Sequence, residues 1–331
     1  MKKRIALVTG GAGFIGSHIV DLLLSKNFKV IVVDNLSGGH HKNISHNLNN
    51  KNFFFIKKDI CKLKNRIRGV NKIDFIFHMA GKGDIVPSII KPKEYIKNNV
   101  IGTLNVLEIA KFYHVKKVLY AASSSCYGLA TTPTKESHKI DPKYPYALSK
   151  RMGEELLFHW ADVYGIKVLS LRIFNAYGPR VRTTGAYGAV FGVFLKQKLE
   201  NQAFTLVGNG SQKRDFIYVT DVAQAFYKAA ISNLSNITFN LGSGKPKSIM
   251  QLIKLLGGNY VKIPKRPGEP NITHANINKI RKILKWSPKI NFDQGVKNML
   301  NNITDWKNAP LWNEKKIDKA TRVWFKYLSK K

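Results

Sequence analysis

Short apolar runs alternating with amphipathic stretches dominate the first half of the chain. Arg4-Ile-Ala-Leu-Val-Thr9 and Lys29-Val-Ile-Val-Val33 have the composition of fully buried strands, and Ser17–Leu24 between them carries apolar residues at helical spacing. Further buried-type strands are expected at Phe53–Ile56, Ile73–His78, Lys117–Ala121 and Val168–Leu171, with helices at Glu94–Tyr113 and Ala147–Tyr164. Continuous apolar strands alternating with amphipathic helices imply an α/β chain whose parallel sheet is covered on both faces.

Beyond Asn175 the pattern changes. A helical stretch runs to Leu199 and Phe204–Val207 reads as a strand, whereas Asp215–Val219, the helix Val222–Ala230 and Phe239–Leu241 are expected to return to the first sheet. The division expected is a nucleotide-binding domain of residues 1–174 with roughly 214–248, and a smaller mixed α/β substrate lobe of 175–213 and 249–331. The lobe ends in a short helix, Ala320–Leu328, whose apolar side (Val323, Trp324, Tyr327, Leu328) is expected to pack against the lobe itself.

Composition narrows the class. Hydrophobic residues make up 44% and aromatics 11% of the 331 residues, too much apolar content for disorder. No window approaches the roughly 18 uninterrupted apolar residues of a spanning helix. The start Met1-Lys-Lys-Arg-Ile-Ala-Leu-Val imitates a signal peptide, but its apolar stretch ends at Thr9-Gly10-Gly11. Cys61 and Cys126 form no CxxC pair, which excludes a disulfide scaffold and fits a reducing cytoplasm. Lys and Arg number 55 against 20 Asp and Glu, a formal charge of +35. The basic residues are scattered, as in Lys57-Lys58, Lys116-Lys117 and Lys315-Lys316. That distribution reads as a solvated surface favouring anionic small ligands rather than a nucleic-acid footprint. The histidines form no spaced metal set and no metal is expected.

Gly10, Gly13 and Gly16 stand between the first strand and the first helix. Gly10 would allow the tight turn, Gly13 the close approach of a pyrophosphate, and Gly16 the packing of helix on strand. The phosphates would lie at the helix N-terminus. Asp34 ends the second strand 18 residues after Gly16, where a carboxylate accepts the hydroxyls of an adenine ribose and repels a 2′-phosphate. This is the pattern of a doubly wound Rossmann sheet that binds NAD.

Tyr146-Ala-Leu-Ser-Lys150 puts a phenol and an ammonium on one helix face. The ammonium and an oxidised nicotinamide would both lower the phenol pKa, making it a base near neutrality. Strand Lys117–Ala121 runs into Ser123-Ser-Ser-Cys-Tyr-Gly128, which brings hydroxyls to the C-terminal edge of the sheet.

Taken with Val8–His18, Asp34-Asn-Leu-Ser, His78-Met-Ala-Gly81, Asn98–Thr103, Tyr144–Lys150, Arg172–Pro179 and Gly210–Asp221, these residues make a sequence that resembles the extended short-chain dehydrogenase/reductase family, specifically its nucleotide-sugar epimerases. The resemblance ends near Trp306. It implies a cytoplasmic homodimer, paired through the helices at Glu94–Tyr113 and Ala147–Tyr164. It also implies reversible 4-epimerisation of a nucleotide-diphospho-sugar, a UDP-hexose or UDP-N-acetylhexosamine, with NAD as cofactor. Rival readings are another epimerase or a 4-keto-sugar reductase on the same fold and, more distantly, a non-catalytic NAD-bound or nucleic-acid-binding protein.

The resemblance also assigns residues. Ser123, Tyr146 and Lys150 would be catalytic; Phe14, Ile15, Asn35, Asp59, Ile60, Ala80 and Asn99 would join the glycines and Asp34 around NAD. Ser124, Ser125, Phe174, Asn175, Arg214, Arg266 and Glu269 would face the substrate, the arginines clamping its diphosphate and Glu269 its ribose. Dehydratases carry Asp and Glu, and decarboxylases a Glu, where this chain has Ser124 and Ser125, which argues against both reactions. Thr273, seven places after Arg266, would gate the space beside the sugar's C2 substituent and, being small, admit an N-acetyl group.

Overall fold

The computed structural model describes residues 3–181, 190–265, 267 and 269–329. Its first half contains β1 (Ile5–Thr9), α1 (Phe14–Ser25), β2 (Lys29–Asp34), β3 (Phe53–Lys57), β4 (Phe75–His78), α2 (Ile85–Ile90), α3 (Pro92–Ile96), α4 (Gly102–Phe112), β5 (Lys117–Ser123), α5 (Pro145–Tyr164) and β6 (Val168–Ile173). The second half adds β7 (Asn175–Tyr177), α6 (Val190–Leu199), β8 (Phe204–Val207), β9 (Lys213–Arg214), β10 (Phe216–Tyr218), α7 (Val219–Ile231) and β11 (Ile237–Leu241). It closes with β12 (Lys247–Ser248), α8 (Ile249–Leu256), β13 (Tyr260–Ile263), α9 (Asn278–Ile283), α10 (Phe292–Asn301) and α11 (Glu314–Leu328).

Seven strands form one parallel sheet in the order β11-β6-β5-β4-β1-β2-β3. The order reverses between β1 and β4, and loops at such a switch point open a crevice at the strands' C-terminal ends. Alternation along the strands feeds two cores. Ala6, Val8, Val30 and Val32 pack under α1 and α7, whereas Leu7, Ile31 and Val33 face α4 and α5. This is the doubly wound arrangement that the apolar runs imply.

A third core gathers Tyr177, Phe191, Phe204, Phe216, Phe292 and Trp306 from the later elements. It joins short two-stranded pairings, β13 with β8, β12 with β9 and β10 with β7. Phe216–Tyr218, expected in the first sheet, thus pairs outside it and buries its aromatic rings in the third core. No helix among the described residues is long and apolar enough to cross a membrane.

Two helices differ from expectation. Glu94–Tyr113 is interrupted by one π-helical turn, Lys97–Ile101, so α3 and α4 are separate pieces. Such turns favour functional sites, and this one carries Asn99. The C-terminal helix starts six residues earlier than expected, at Glu314, where the Asn313 side chain accepts from the Lys316 amide. One side of α11 packs Ile317 into the third core, but the helix also packs against α2 beside the main sheet. It therefore crosses from one layer to the other.

Candidate active site

The glycine loop follows from steric limits. Gly10 takes φ +68°, and a Cβ there would lie 2.6 Å from the Ala80 amide nitrogen. A Cβ on Gly16 would overlap the Gly10 carbonyl oxygen. Gly13 is the N-cap of α1, with no side chain capping the helix and no acidic residue in its first turn. Anions are favoured at such an end. Asp34 Oδ2 accepts from the Ala12 amide at 3.0 Å and Oδ1 from Leu36 at 2.7 Å, which aims the carboxylate along the loop. Burial pushes its pKa up against these two hydrogen bonds. The cradle accommodates a backbone-hugging pyrophosphate, and Asp34 retains lone pairs for a ribose diol, so the residues fit NAD.

The other expected cofactor residues divide. Phe14 and Ile15 line the central cavity. Asn35 accepts from the Ser37 amide at 2.9 Å, and Asp59 accepts from the Cys61 amide at 2.8 Å in the turn that buries Ile60. Ala80 donates to Thr9 Oγ1 at 3.3 Å. Asn99 is engaged with protein: its amide donates to Ser149 Oγ at 2.9 Å and to the Lys82 carbonyl at 3.0 Å, and it accepts from the Lys82 amide at 2.8 Å. Its place is to hold the Gly81–Asp84 loop beside Lys150.

A cavity of about 550 Å³ opens at the sheet's C-terminal edge. Ser123, at the end of β5, Tyr146 and Lys150, on α5, all line it. The Ser123 hydroxyl is close enough to the Tyr146 phenol to influence its ionisation. Tyr146 stacks on Tyr144 with centroids 6.3 Å apart and meets the Tyr95 ring edgewise at 6.4 Å. Burial raises its pKa and the neighbouring Ser123 hydroxyl opposes this. The direction differs from the lowered phenol pKa that the helix spacing suggests. The ammonium itself is weakened: burial pushes Lys150 down to about 7, with the Glu154 carboxylate opposing. Lys150 Nζ lies 4.2 Å from the Tyr120 ring centroid.

Of the expected substrate residues, Ser124, Ser125, Phe174, Asn175, Arg214 and Glu269 all line this cavity. Arg214 Nη2 donates to Glu269 Oε1 at 2.7 Å, so two residues expected on different parts of the substrate form one ion pair. Thr273 stands one residue back: its hydroxyl donates to Asn175 Oδ1 at 2.8 Å and accepts from the Asp215 amide at 3.1 Å. Arg266 lies outside the described residues. Lys82, Asp84 and Trp324 also line the cavity, and the sequence reading assigns none of them there. Among the described residues no group of three or more His, Cys, Asp or Glu is placed to hold a metal.

His78 lies under the cofactor loop, with Nδ1 2.7 Å from Thr9 Oγ1 and Nε2 2.9 Å from Thr103 Oγ1. Burial lowers its pKa to about 3. Between pH 6.5 and about 3 the unfolded chain therefore binds a proton here that the folded protein does not. Stability falls as pH drops through that window, at ~1.4 kcal/mol per pH unit. His78→Gln is expected to flatten the decline of melting temperature between pH 6.5 and 4. An unchanged slope would refute it.

Glycine loop, acidic strand end and edge cavity define a dinucleotide-binding α/β protein with a phenol–ammonium pair at its ligand-binding edge. Comparison with known proteins agrees. Residues 6–242 match the model of the NAD dependent epimerase/dehydratase family, and the chain belongs to that family. It is 36% identical over 303 residues to a putative UDP-glucose 4-epimerase of Methanocaldococcus jannaschii, covering 89% of this chain and 97% of that protein. Among solved structures, a UDP-N-acetylglucosamine 4-epimerase of Methanobrevibacter ruminantium in complex with UDP-N-acetylmuramic acid matches with TM-score 0.84 and 32% identity, covering 91% of this chain and all (100%) of that one. A UDP-glucuronic acid 4-epimerase of Bacillus cereus, in complex with UDP-glucuronic acid and NAD, matches with TM-score 0.85 and 30% identity over 91% of this chain and 99% of that one.

Proposed function

We propose that this protein is an NAD-dependent 4-epimerase of a nucleotide-diphospho-sugar, a UDP-hexose or UDP-N-acetylhexosamine. The observation that carries the reading is that Ser123, Tyr146 and Lys150 line one cavity, with Lys150 one helical turn along α5 from Tyr146 and no carboxylate on the Ser123-Ser124-Ser125 turn.

Bound NAD would supply a reversible hydride acceptor for the sugar's C4 and the positive charge that favours a Tyr146 phenolate. Tyr146 Oη takes the proton of the 4-hydroxyl and returns it once the sugar presents its other face. Ser123 Oγ, itself fixed by the Ser125 amide at 3.2 Å, orients the 4-oxygen. Lys150 holds the cofactor ribose. Arg214 meets the diphosphate through its fork of donors, with Glu269 aiming the guanidinium. Thr273 positions Asn175 through their hydrogen bond, acting on the pocket at second hand. Without a carboxylate beside Ser123, that turn has no acid or base for eliminating water or for decarboxylation.

We assign residues 1–174 with 219–248 to cofactor binding, because α7 packs on α1 and β11 completes the main sheet. Residues 175–218 with 249–331 go to the substrate lobe, because β10 pairs with β7 and buries Phe216 and Tyr218 in the third core. Within the latter stretch Ile277, Ile280 and Trp286 return to the first core. We further assign a homodimer paired through α4 and α5. Leu107 and Leu157 point into the sheet core, but Ile101, Leu148 and Val163 leave an exposed apolar face; a one-chain mass by sedimentation would overturn the pairing. Two free thiols suit a reducing, cytoplasmic setting, which fractionation of native cells checks.

The activity test is NMR of UDP-glucose and UDP-N-acetylglucosamine incubated with the NAD-loaded protein. Inversion at C4 with no net NADH is expected. One-way NADH accumulation would replace the epimerase with a dehydrogenase.

A further inference from the structure

We propose that Trp324, on the C-terminal helix α11, is a specificity-determining residue: its indole forms a wall of the catalytic cavity at the sugar end and limits the size of the sugar accepted. The inference rests on the nucleotide-sugar reading above.

Three observations carry it. First, α11 reaches the site by crossing the cleft. Its Ile317 is anchored in the third core, and the helix also packs against α2, which follows the cavity residues Lys82 and Asp84. Second, Trp324 is 4% exposed and lines the cavity together with Ser125, Tyr146 and Glu269. Its ring centroid is 6.4 Å from that of Tyr144, which in turn stacks on Tyr146. The reacting phenol is thus two aromatic rings away. Third, the indole is fixed. Nε1 donates to the Pro267 carbonyl at 2.6 Å, so the ring cannot swing aside without leaving a buried N–H unpaired.

The neighbouring residue shows what the wall divides. Phe325 and Ser329 line a separate outer groove of about 720 Å³ with Leu129 and Ile272. Glu269 lines both spaces, so they adjoin. On α11, Trp324 faces the inner space and Phe325 the outer. Shortening Trp324 would enlarge the cavity beside Tyr144 and Glu269 toward the outer groove.

An apolar plate of this kind packs on the C–H face of a pyranose and rejects substituents that overrun it. Its effect lies in discrimination between sugars, where a change in a pocket wall gives roughly ten- to two-hundredfold ratios. The test compares wild type, Trp324→Ala and Trp324→Phe on UDP-glucose and UDP-N-acetylglucosamine, and measures calorimetric Kd values for UDP alone and for UDP-glucose. Expected for Trp324→Ala is UDP affinity within about twofold of wild type, UDP-glucose binding weakened about tenfold, and the kcat/KM ratio moved toward the bulkier sugar by about tenfold. Trp324→Phe, which keeps a ring, should move the ratio by less than about threefold. Retained UDP binding shows that the site is folded; should Trp324→Ala lose it, the same comparisons are read on Trp324→Leu. An unchanged sugar ratio together with unchanged UDP-glucose affinity overturns the proposal. Failure of the wild-type protein to invert any sugar at C4 would instead overturn the epimerase reading, and the Kd comparison between UDP and UDP-glucose would still judge the wall.

Discussion

Tyr146→Phe is expected to lower turnover by roughly a hundred- to ten-thousandfold, the usual contribution of a positioned acid–base group. The substitution removes one oxygen and nothing else of consequence to the fold. The ring is held by Tyr144, stacked at 6.3 Å, and by Tyr95 at 6.4 Å, and Phe fills the same space. The lost oxygen is the one that feels the influence of the Ser123 hydroxyl in the cavity. Melting temperature and NAD content should therefore stay close to wild type while C4 inversion, followed by NMR, nearly stops. A variant that keeps more than about a tenth of the activity would remove Tyr146 from the proton transfer.

Glu154→Ala is expected to destabilise the protein by ~3–5 kcal/mol, the cost of breaking a buried ion pair by removing one partner. Glu154 is 1% exposed and gathers four donors: Ser170 Oγ at 2.5 Å, Arg172 Nε at 3.1 Å and Nη2 at 2.9 Å, and Arg151 Nη1 at 2.9 Å. Without it Arg172 is a buried cation between β6 and the Tyr127 ring. The loss should read as a melting temperature lower by roughly 4–7 °C. Glu154 also lies one turn beyond Lys150 and raises that ammonium's pKa. Its removal should therefore weaken the lysine's charge near neutral pH, and activity per folded molecule should decline most steeply on the alkaline side. A shift in melting temperature under 2 °C would be too small for a buried pair.

Local pattern made part of this site legible. The strand, the glycine spacing and Asp34 sit within 34 consecutive residues, so short-range rules locate the cofactor cradle. Tyr146 and Lys150 share a helix, and helical periodicity alone puts them on one face. What escaped the sequence depends on contacts across the chain. Glu154 sits at a helix position that reads as solvent-facing until β6 brings Ser170 and Arg172 to it. Arg214 and Glu269 are 55 residues apart, and nothing local pairs them. The π turn at Lys97–Ile101 is written in residues as helical as their neighbours. The six-residue α2 contains Pro87, which looks like a loop residue. Trp324 falls on the apolar side of a helix that periodicity finds, but no periodicity says which surface that side covers.

The order of strands in the sheet has a consequence for how the chain folds. β6 is buried along its whole length, and what covers its outer edge is β11, more than sixty residues later. Everything between them, including the whole of the lobe's first segment, is a detour inside one sheet. A nascent chain or a proteolytic fragment ending near residue 174 presents β6 as a bare, apolar edge, the kind of template on which strands of other molecules pair. The cofactor layer thus has no self-sufficient early form. Long-range closure by β11 makes folding slow in the manner of non-local parallel sheets. For cells making this protein, the vulnerable interval is the one before residue 241 is available, when chaperone protection of that edge matters most.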